Sequence, residues 1–494
     1  MPSARARAIA PVLSFVLPGL GQASLGSVRR GVLIATPAVI VVAVAATLAA
    51  ADGGALLDAL IRPEVLITGL VLNVLLAAYH AVAVLDAYRL AARSTPVRTA
   101  VRRLSTLLLA CLLVATVMLH GAIETIGYQA YDMLDAVFVP ADGGWSIPEP
   151  SFEPDPTATA PATAPPTATP SSTGSTSPSP STPPSAAVVV SSPSPAPSPS
   201  PSATPSWAKD GRLNVLLIGS DAGPDRRSLR TDTIIVLSVD VETGHAALFG
   251  IPRNLVGVPL PPESAKAFKT GRFPGLLNAL YVYAMGHPRS FPGGDSRGFR
   301  AVTGAVQELV GVRLDGVVVV SLAGFVQLVD ELGGLWIDVP ARLVDRNYPL
   351  EDGSGHIKLD IRPGCQELDG RMALAYARSR HQDSDYGRMR RQQTVLVALA
   401  RQLDPIALVS KVPRLLKIAK DNLWTTIKRG DVRQMADLAD RVDTSRVKTV
   451  LFTPSRYPSH LDTAEIARIQ RVVRTAFDGK WKVSSSSARG ADCP

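Results

Sequence analysis

Charge is absent from a long middle stretch of this chain: positions 156–208 contain no Asp, Glu, Lys or Arg. Residues 148–205 also hold 18 of the 41 prolines, separated mostly by Ser, Thr and Ala. Such a stretch has too little apolar surface for a core and is expected to be a disordered stalk of polyproline-II character. At ~3.1 Å per residue it reaches on the order of 150 Å when extended. The domain beyond it therefore works at a distance from whatever precedes it, or reaches back. Cysteine is scarce as well, with only Cys111, Cys365 and Cys493, and the seven histidines are scattered. No Cys/His spacing suggests zinc. No segment repeats, which excludes a solenoid.

What is present lies unevenly. The 494 residues carry a formal charge of +9, and the pI near 9.6 points to anionic partners. Mean hydropathy is +0.17 despite 19% charged residues, because apolar residues crowd the front of the chain. Three apolar runs, at about 31–50, 65–85 and 104–123, each have the ~20 residues needed to cross a bilayer. Arg5, Arg7, Arg29 and Arg30 precede the first run, and Arg89, Arg93, Arg98, Arg102 and Arg103 lie between the second and third. The intervening loop has only Arg62, with Asp52, Asp58 and Glu64. The positive-inside rule puts the N-terminus in the cytoplasm and everything after about residue 125 outside. A cleaved signal peptide fits poorly, because three spans follow one another and 9–21 is broken by Pro18 and Gly19. Pro18-Gly19-Leu20-Gly21-Gln22 reads as a short interfacial or re-entrant segment. In the oxidising compartment outside, Cys365 and Cys493 either pair or stay free.

The expected organisation is a three-span anchor over 1–125, a linker over 126–208, a catalytic domain over 209–480 and a flexible tail over 481–494. Aliphatic runs bounded by Gly, Asp or Pro predict strands at 213–218, 233–239, 246–251, 317–321 and 335–339. Helical periodicity recurs at 301–310, 322–332, 370–377, 389–403, 432–442 and 463–477. This alternation predicts an α/β fold, a central sheet flanked by helices.

Candidate chemistry lies at strand ends and in one Arg-rich segment. Asp221 follows the first strand and Asp232 opens the second, so two carboxylates across a hairpin-like loop can converge on a cation. Oxygen ligands imply a hard ion, Mg²⁺ before Mn²⁺ or Ca²⁺; ordinary turn chemistry is the alternative. Arg230 lies beside Asp232, and Ile251-Pro252-Arg253 delivers a guanidinium at a strand end. Asn278 either binds a phosphate or caps a short helix. Residues 376–393 gather Arg378, Arg380, Arg388, Arg390 and Arg391 with Asp383 and Asp385. Guanidinium forks match phosphate oxygens, so the run predicts an anion site over a solvated, salt-bridged helix start. Arg378 and Arg380 alternate across Ser379 and would point to one side of an extended stretch. In a helix from about 385, Asp385, Arg388 and Gln392 share one face, and Met389, Leu396, Ala400 and Leu403 form the core stripe.

Gly219-Ser220-Asp221, Arg230-Thr231-Asp232-Thr233, Ile251-Pro252-Arg253, Leu277-Asn278-Ala279, Gly333-Gly334 with Asp338-Val339-Pro340, and the segment from Tyr376 to Gln393 occur in one order. That ordered set, spanning roughly 212–405, resembles the LytR-CpsA-Psr family, which attaches glycopolymers to peptidoglycan from polyprenyl-pyrophosphate carriers. The resemblance implies that Asp221 and Asp232 hold Mg²⁺. It also implies that Arg253, Arg380 and Arg388 grip the lipid pyrophosphate, with Arg378 and Gln392 close by, and Arg230, Asn278, Arg391 and Gln392 are the expected substrate-binding residues. Asp385 would orient those arginines or assist deprotonation of the acceptor. The chain departs from the family in a three-span anchor and in Gly275-Leu276 where a Lys usually stands. The implied partners are a polyprenyl-pyrophosphate-linked glycopolymer, peptidoglycan and membrane lipid, and no nucleic acid. The implied location is the cell membrane, multi-pass, with the catalytic domain extracytoplasmic. A non-catalytic envelope-sensing module and a pyrophosphate hydrolase are the competing readings. For the lipid tail, the helix near 325–332 either lines a groove or is ordinary core; its aliphatic stripe reads as core.

Overall fold

The structure is a computed structural model that describes residues 4–50, 61–94, 99–138, 206–220, 231–349, 355–380, 382–403, 409–454, 456–478 and Cys493. The expected stalk, the loop carrying Asp221 and Arg230, and nearly all of the expected tail lie outside those residues.

The front of the chain is helical: α1 (Ala4–Val16), α2 (Leu20–Ser24), α3 (Val28–Ala50), α4 (Pro63–Ser94) and α5 (Thr99–Val137). Among the described residues, α4 and α5 are the two helices long and apolar enough to cross a membrane. Val71, Leu75, Val82, Leu107, Val117 and Met118 are exposed on them, an apolar surface of the kind lipid covers. The expected run at 31–50 is helical within α3.

The boundary expected at residue 125 does not hold, because α5 runs on to Val137. Polar residues such as Glu124, Gln129 and Asp132 end an apolar run but do not end a helix, and the first helix breaker is Pro140. The extension docks on the C-terminal domain. Leu134 is buried with Ile61 and Leu66, and Tyr131, Phe138 and Val432 pack on them. Lys420 pairs with Asp132, and Arg429 Nη2 donates to the Leu134 carbonyl at 2.7 Å. The domain thus reaches back to the anchor.

The domain is built on strands β1 (Arg212–Ser220), β2 (Thr231–Asp240), β3 (Ala246–Gly250), β4 (Val256–Pro259) and β5 (Arg272–Leu276). Helix α6 (Arg297–Val310), β6 (Gly316–Ser321), α7 (Leu322–Leu332), β7 (Leu335–Val339), β8 (Leu343–Pro349), β9 (His356–Ile361) and β10 (Gly364–Leu368) follow. Then come α8 (Gly370–Arg378), α9 (Asp385–Gln402), α10 (Val412–Asn422), β11 (Leu423–Thr425), β12 (Lys448–Leu451) and α11 (Thr463–Arg474). Six strands form one mixed sheet in the order β11-β6-β1-β2-β3-β12. β1 is antiparallel to β2 and parallel to β6.

Period-two alternation divides the apolar residues between two cores. Leu216, Ile218, Ile234, Val236, Ala247 and Phe249 face one side, packed against α6 and α11. Leu213, Val215, Ile235, Val239, Ala246 and Leu248 face the other, packed against α7, α8 and α9. All five expected strands and all six expected helices are present in this fold, with ends shifted by a few residues. The core stripe expected on α9 is corrected: Met389 is buried, but Ala400 and Leu403 are exposed. Val395, Val397 and Ala398 are buried instead, because α9 enters the interior and is covered on several sides. Cys365 of β10 is paired with Cys493, so the free-thiol alternative does not hold.

Candidate functional site

The site forms where β2, the end of β3 and the first turns of α9 meet. The register of β1 and β2 slips at Ser220, which pairs with Thr231, so Asp232 starts the strand beside that irregularity. Pro252 follows β3 and Arg253 turns back toward β2, where its guanidinium pairs with Asp232. The Asn278 N–H donates to the Arg253 carbonyl at 2.9 Å. Asn278 lies inside a short 3₁₀ turn and lines neither cavity described below, so its observed role is to fix the Arg253 backbone.

Arg388 is almost fully buried. Its Nη2 lies 3.0 Å from Asp385 Oδ1, and its Nη1 donates to the Asp232 carbonyl at 3.0 Å. Arg253 Nε lies 3.5 Å from the same Asp385 oxygen. Asp385 through its carboxylate, and Asp232 through its carboxylate and main-chain carbonyl, thus link the two guanidiniums in a ring. Burial pulls the Arg388 guanidinium below its ordinary range, and neighbouring Asp385 pulls it back. The ring is not self-sufficient. Among the described residues, Arg388 Nε and Thr231 Oγ1 are buried and make no hydrogen bond, while Asp385 Oδ1 has only its ion-pair contacts with Arg388 and Arg253. Unsatisfied buried polar atoms are costly in a core and are expected where a ligand completes the set.

Two cavities meet at Arg378, and the ring borders one of them. A polar one of about 220 Å³ is lined by Asp232, Arg378, Arg380, Arg388, Asp345 and Tyr348, among others. An apolar one of about 180 Å³ is lined by Leu217, Val318, Phe325, Leu328, Val395 and Leu399, among others. Arg378 lines both, and Gln392 lines the apolar cavity beside it. The reading of 325–332 as ordinary core is overturned at Phe325 and Leu328, which border the cavity, while Val329 alone of the three is fully buried. Aliphatic residues look the same in sequence whether they fill a core or line a hole. Arg378 is the last residue of α8, not part of an extended run. It shares the polar cavity with Arg380 because Ser379 between them is extended and buried, its Oγ donating to Asp345 Oδ2 at 2.8 Å.

Arg391, expected among the substrate binders, is a clamp instead. Its Nε donates to the Tyr376 carbonyl at 2.7 Å. Its Nη1 pairs with Asp383 at 2.6 Å, and its Nη2 donates to the Ser379 carbonyl. These bonds tie the end of α8 to α9 and aim the Arg378–Arg380 stretch. Burial pushes the Tyr376 phenol up to about 12. Gly387 is required by the same clamp, since a Cβ there would overlap the Asp383 carboxylate. Asp345, Asn347, Tyr348 and His356 also line the polar cavity and escape the sequence reading. The signal that could have found them is Asp345, an acidic residue at an inward position of a strand and almost fully buried.

The donor chemistry fits a hard cation at one carboxylate: Asp232 lines the polar cavity, beside the loop that carries Asp221 in sequence. Among the described residues no three His, Cys, Asp or Glu side chains cluster as a complete metal cage. Such an ion would draw its remaining ligands from substrate and water, as Mg²⁺ commonly does.

Comparison with known proteins agrees with the arrangement of motifs. Biofilm regulatory protein A of Streptococcus mutans is 25% identical over 227 residues, covering 45% of this chain and 51% of that protein. The polyisoprenyl-teichoic acid–peptidoglycan teichoic acid transferase TagU of Halalkalibacterium halodurans is 25% identical over 279 residues, covering 54% of this chain and 79% of its own. The chain spans about half the length of the first curated relatives it matches. Among solved structures, TagV of B. subtilis aligns with 22% identity and a TM-score of 0.40, covering 54% of this chain and 97% of that one. The sequence pattern of the LytR_cpsA_psr family matches residues 185–471, more than half of the 494. The chain belongs to the LytR_cpsA_psr family.

Proposed function

We propose that this protein is a membrane-anchored transferase that moves a glycopolymer from a polyprenyl-pyrophosphate carrier onto peptidoglycan. The observation that carries the reading is the junction at Arg378 of an apolar cavity and an arginine-lined polar one. A prenyl chain with a pyrophosphate head has the same division of character. Similarity to teichoic acid transferases supports the same class of reaction. The docked α5 extension supports an active domain held near the bilayer, where a lipid carrier resides.

Arg253, Arg378, Arg380 and Arg388 hold the pyrophosphate, and Arg388 Nε supplies a donor that has no hydrogen-bond partner among the described residues. A peptidoglycan hydroxyl attacks the phosphorus nearest the glycopolymer. A new O–P bond forms, the bridging P–O bond breaks, and polyprenyl phosphate leaves with the electron pair. Asp385, which also orients Arg253 and Arg388, takes the hydroxyl proton. Asp232, with Asp221 of the adjoining loop, would hold Mg²⁺ or Mn²⁺. Bound there, the ion would neutralise charge on the phosphates. Beyond that proton transfer, positioning and charge neutralisation supply the rest of catalysis.

The test incubates the full-length protein in lipid with a short-chain polyprenyl-pyrophosphoryl oligosaccharide, peptidoglycan fragments and Mg²⁺. Linked product with release of polyprenyl phosphate is expected. Release without linkage would make the protein a hydrolase, and binding without turnover a sensing module; either overturns the proposal.

A further inference from the structure

The anchor contains a chain of buried polar side chains that the transfer reaction does not use. The Pro18–Gln22 segment turns α1 back at Gly19, where φ is 96°, a conformation that favours glycine. This turn brings α1 against α4 and inserts Gln22, whose Nε2 donates to the Ala83 carbonyl at 2.9 Å and to Asp86 at 3.2 Å. Arg30 of α3 pairs with Asp86 in turn. Deeper in the bundle, the Phe15 carbonyl of α1 lies 2.9 Å from His80 Nε2. His80 Nδ1 lies 3.2 Å from His120 Nε2, and His120 Nδ1 lies 2.9 Å from Asn73 Oδ1. Asn73 Nδ2 donates to the His120 carbonyl at 3.0 Å and to Glu124 Oε2 at 2.9 Å. His80, His120 and Asn73 are each more than nine-tenths buried.

Counting protons along this chain gives an odd number. A carbonyl only accepts, so His80 Nε2 must carry a proton. The Asn73 amide has both acceptors on its nitrogen side, which fixes its oxygen toward His120 Nδ1. His120 Nδ1 must therefore carry a proton as well. Two neutral imidazoles are then spent, and His80 Nδ1 and His120 Nε2 would meet lone pair to lone pair at 3.2 Å. A metal bridge needs two bonds of ~2.0–2.1 Å and has no room at this separation.

We infer that His80 and His120 form a proton-binding site within the anchor, sharing one additional proton, with Glu124 as its counter-charge through Asn73. The charged and titratable groups around the pair are few. Helix α5 supplies Glu124, α4 supplies Tyr79 and Asp86, and α3 supplies Arg30, which neutralises Asp86. Helix α1 contributes the Phe15 carbonyl and its ring, stacked 5.6 Å from His80. An imidazolium beside a carboxylate is the arrangement by which ionisable groups persist among membrane helices. The site also gives the Pro18–Gln22 turn a purpose, since it presents the carbonyl that sets the proton count. Loss of the shared proton leaves two facing lone pairs between α4 and α5, so the packing of the anchor depends on pH. The inference stands whether or not the transfer reaction does.

The test is ¹⁵N solid-state NMR of the full-length protein, labelled at histidine, in lipid bilayers at neutral pH. A proton cross-peak joining two imidazoles, with three of their four ring nitrogens protonated, is the expected result. On raising the pH both rings change together. Glu124→Gln lowers the midpoint of that change by about one pH unit or more. His80→Gln and His120→Gln each remove the cross-peak and identify the rings. Two neutral rings at pH 7 without a cross-peak in the unaltered protein, independent titrations, or no shift in Glu124→Gln would each overturn the inference. The first of these needs no variant, so a variant that fails to fold does not protect the idea.

Discussion

The two faces of the central sheet are made by the same strands and do opposite things. Toward α6 and α11 the face is closed: Phe249, Phe299, Leu309 and Phe452 are fully buried, and the Phe249 and Phe452 rings stack at 6.2 Å. Toward α7, α8 and α9 the same strands leave an apolar cavity of about 180 Å³ with an arginine at its rim. Close packing is the default for an interior. An apolar hole with Arg378 and Gln392 on its wall is therefore the departure that needs a cause. On the closed face side chains stabilise the fold; on the open face the same residue types form a receptacle.

The largest effect should come from the ion-pair ring that borders the polar cavity through Asp232 and Arg388. Arg388→Lys keeps the charge but loses the planar fork that reaches Asp232 and Asp385 together. Release of polyprenyl phosphate should fall by about 10²–10³-fold, the scale of losing an oriented donor to a transition-state oxyanion. Thermal unfolding should change much less. Wild-type turnover in this variant would remove Arg388 from the site.

The next pair sets one face against the other. Leu309→Ala on the closed face should cost about 2–5 kcal/mol of unfolding free energy while leaving KM unchanged. Leu328→Trp, which fills the apolar cavity, should raise KM for a long-prenyl substrate about tenfold and change KM for a short-chain one little. The comparison breaks if Leu328→Trp behaves like Leu309→Ala, with lost stability and no dependence on chain length. Gly387→Ala should have a smaller effect, because the new methyl pushes Asp383 away from Arg391. Unfolding free energy should drop by about 1–3 kcal/mol. Turnover should drop with it as Arg378 and Arg380 lose their aim, and steady-state kinetics alongside denaturation would show both.

The closed face and the strands are largely legible in sequence. Val215 to Ile218, Ile234 to Val239 and Ala246 to Phe249 are apolar runs bounded by Gly or Asp, and burial of both faces is what such runs require. The arginines of the site are legible because charge cannot enter an interior without a partner. The open face is not, since Phe325 and Leu328 carry no mark that separates lining from filling. The β8–β9 hairpin is missed for another reason. Asp345, Arg346 and Asn347 give it a polar strand with no apolar alternation, and its placement depends on Ser379 and Arg378 far along the chain. The role of Arg391 is hidden too, because a clamp and a ligand-binding arginine share one letter and differ only in where the carbonyls lie.

The smallest expected effect comes from a carboxylate that resembles Asp385 in burial but not in setting. Asp315 precedes β6 at the end of the sheet away from the site, and its Oδ2 accepts the Asn214 N–H at 2.9 Å. Burial raises its carboxyl above the ordinary range; the Asn214 N–H and Arg313 only partly oppose this. A carboxyl raised in the folded state binds its proton more tightly there than in the unfolded chain. Its contribution to stability is thus full below the unfolded value of 3.8 and lost as pH rises through the higher folded value. Asp315→Asn keeps an acceptor for Asn214 and cannot ionise. It should flatten the fall in melting temperature as pH is raised from about 4, by about a degree or two for a domain of this size. Turnover should not change, because Asp315 satisfies a backbone donor and faces no cavity of the site. A loss of turnover in Asp315→Asn would mean that the two ends of the sheet are coupled, and that the site cannot be assigned to the open face alone.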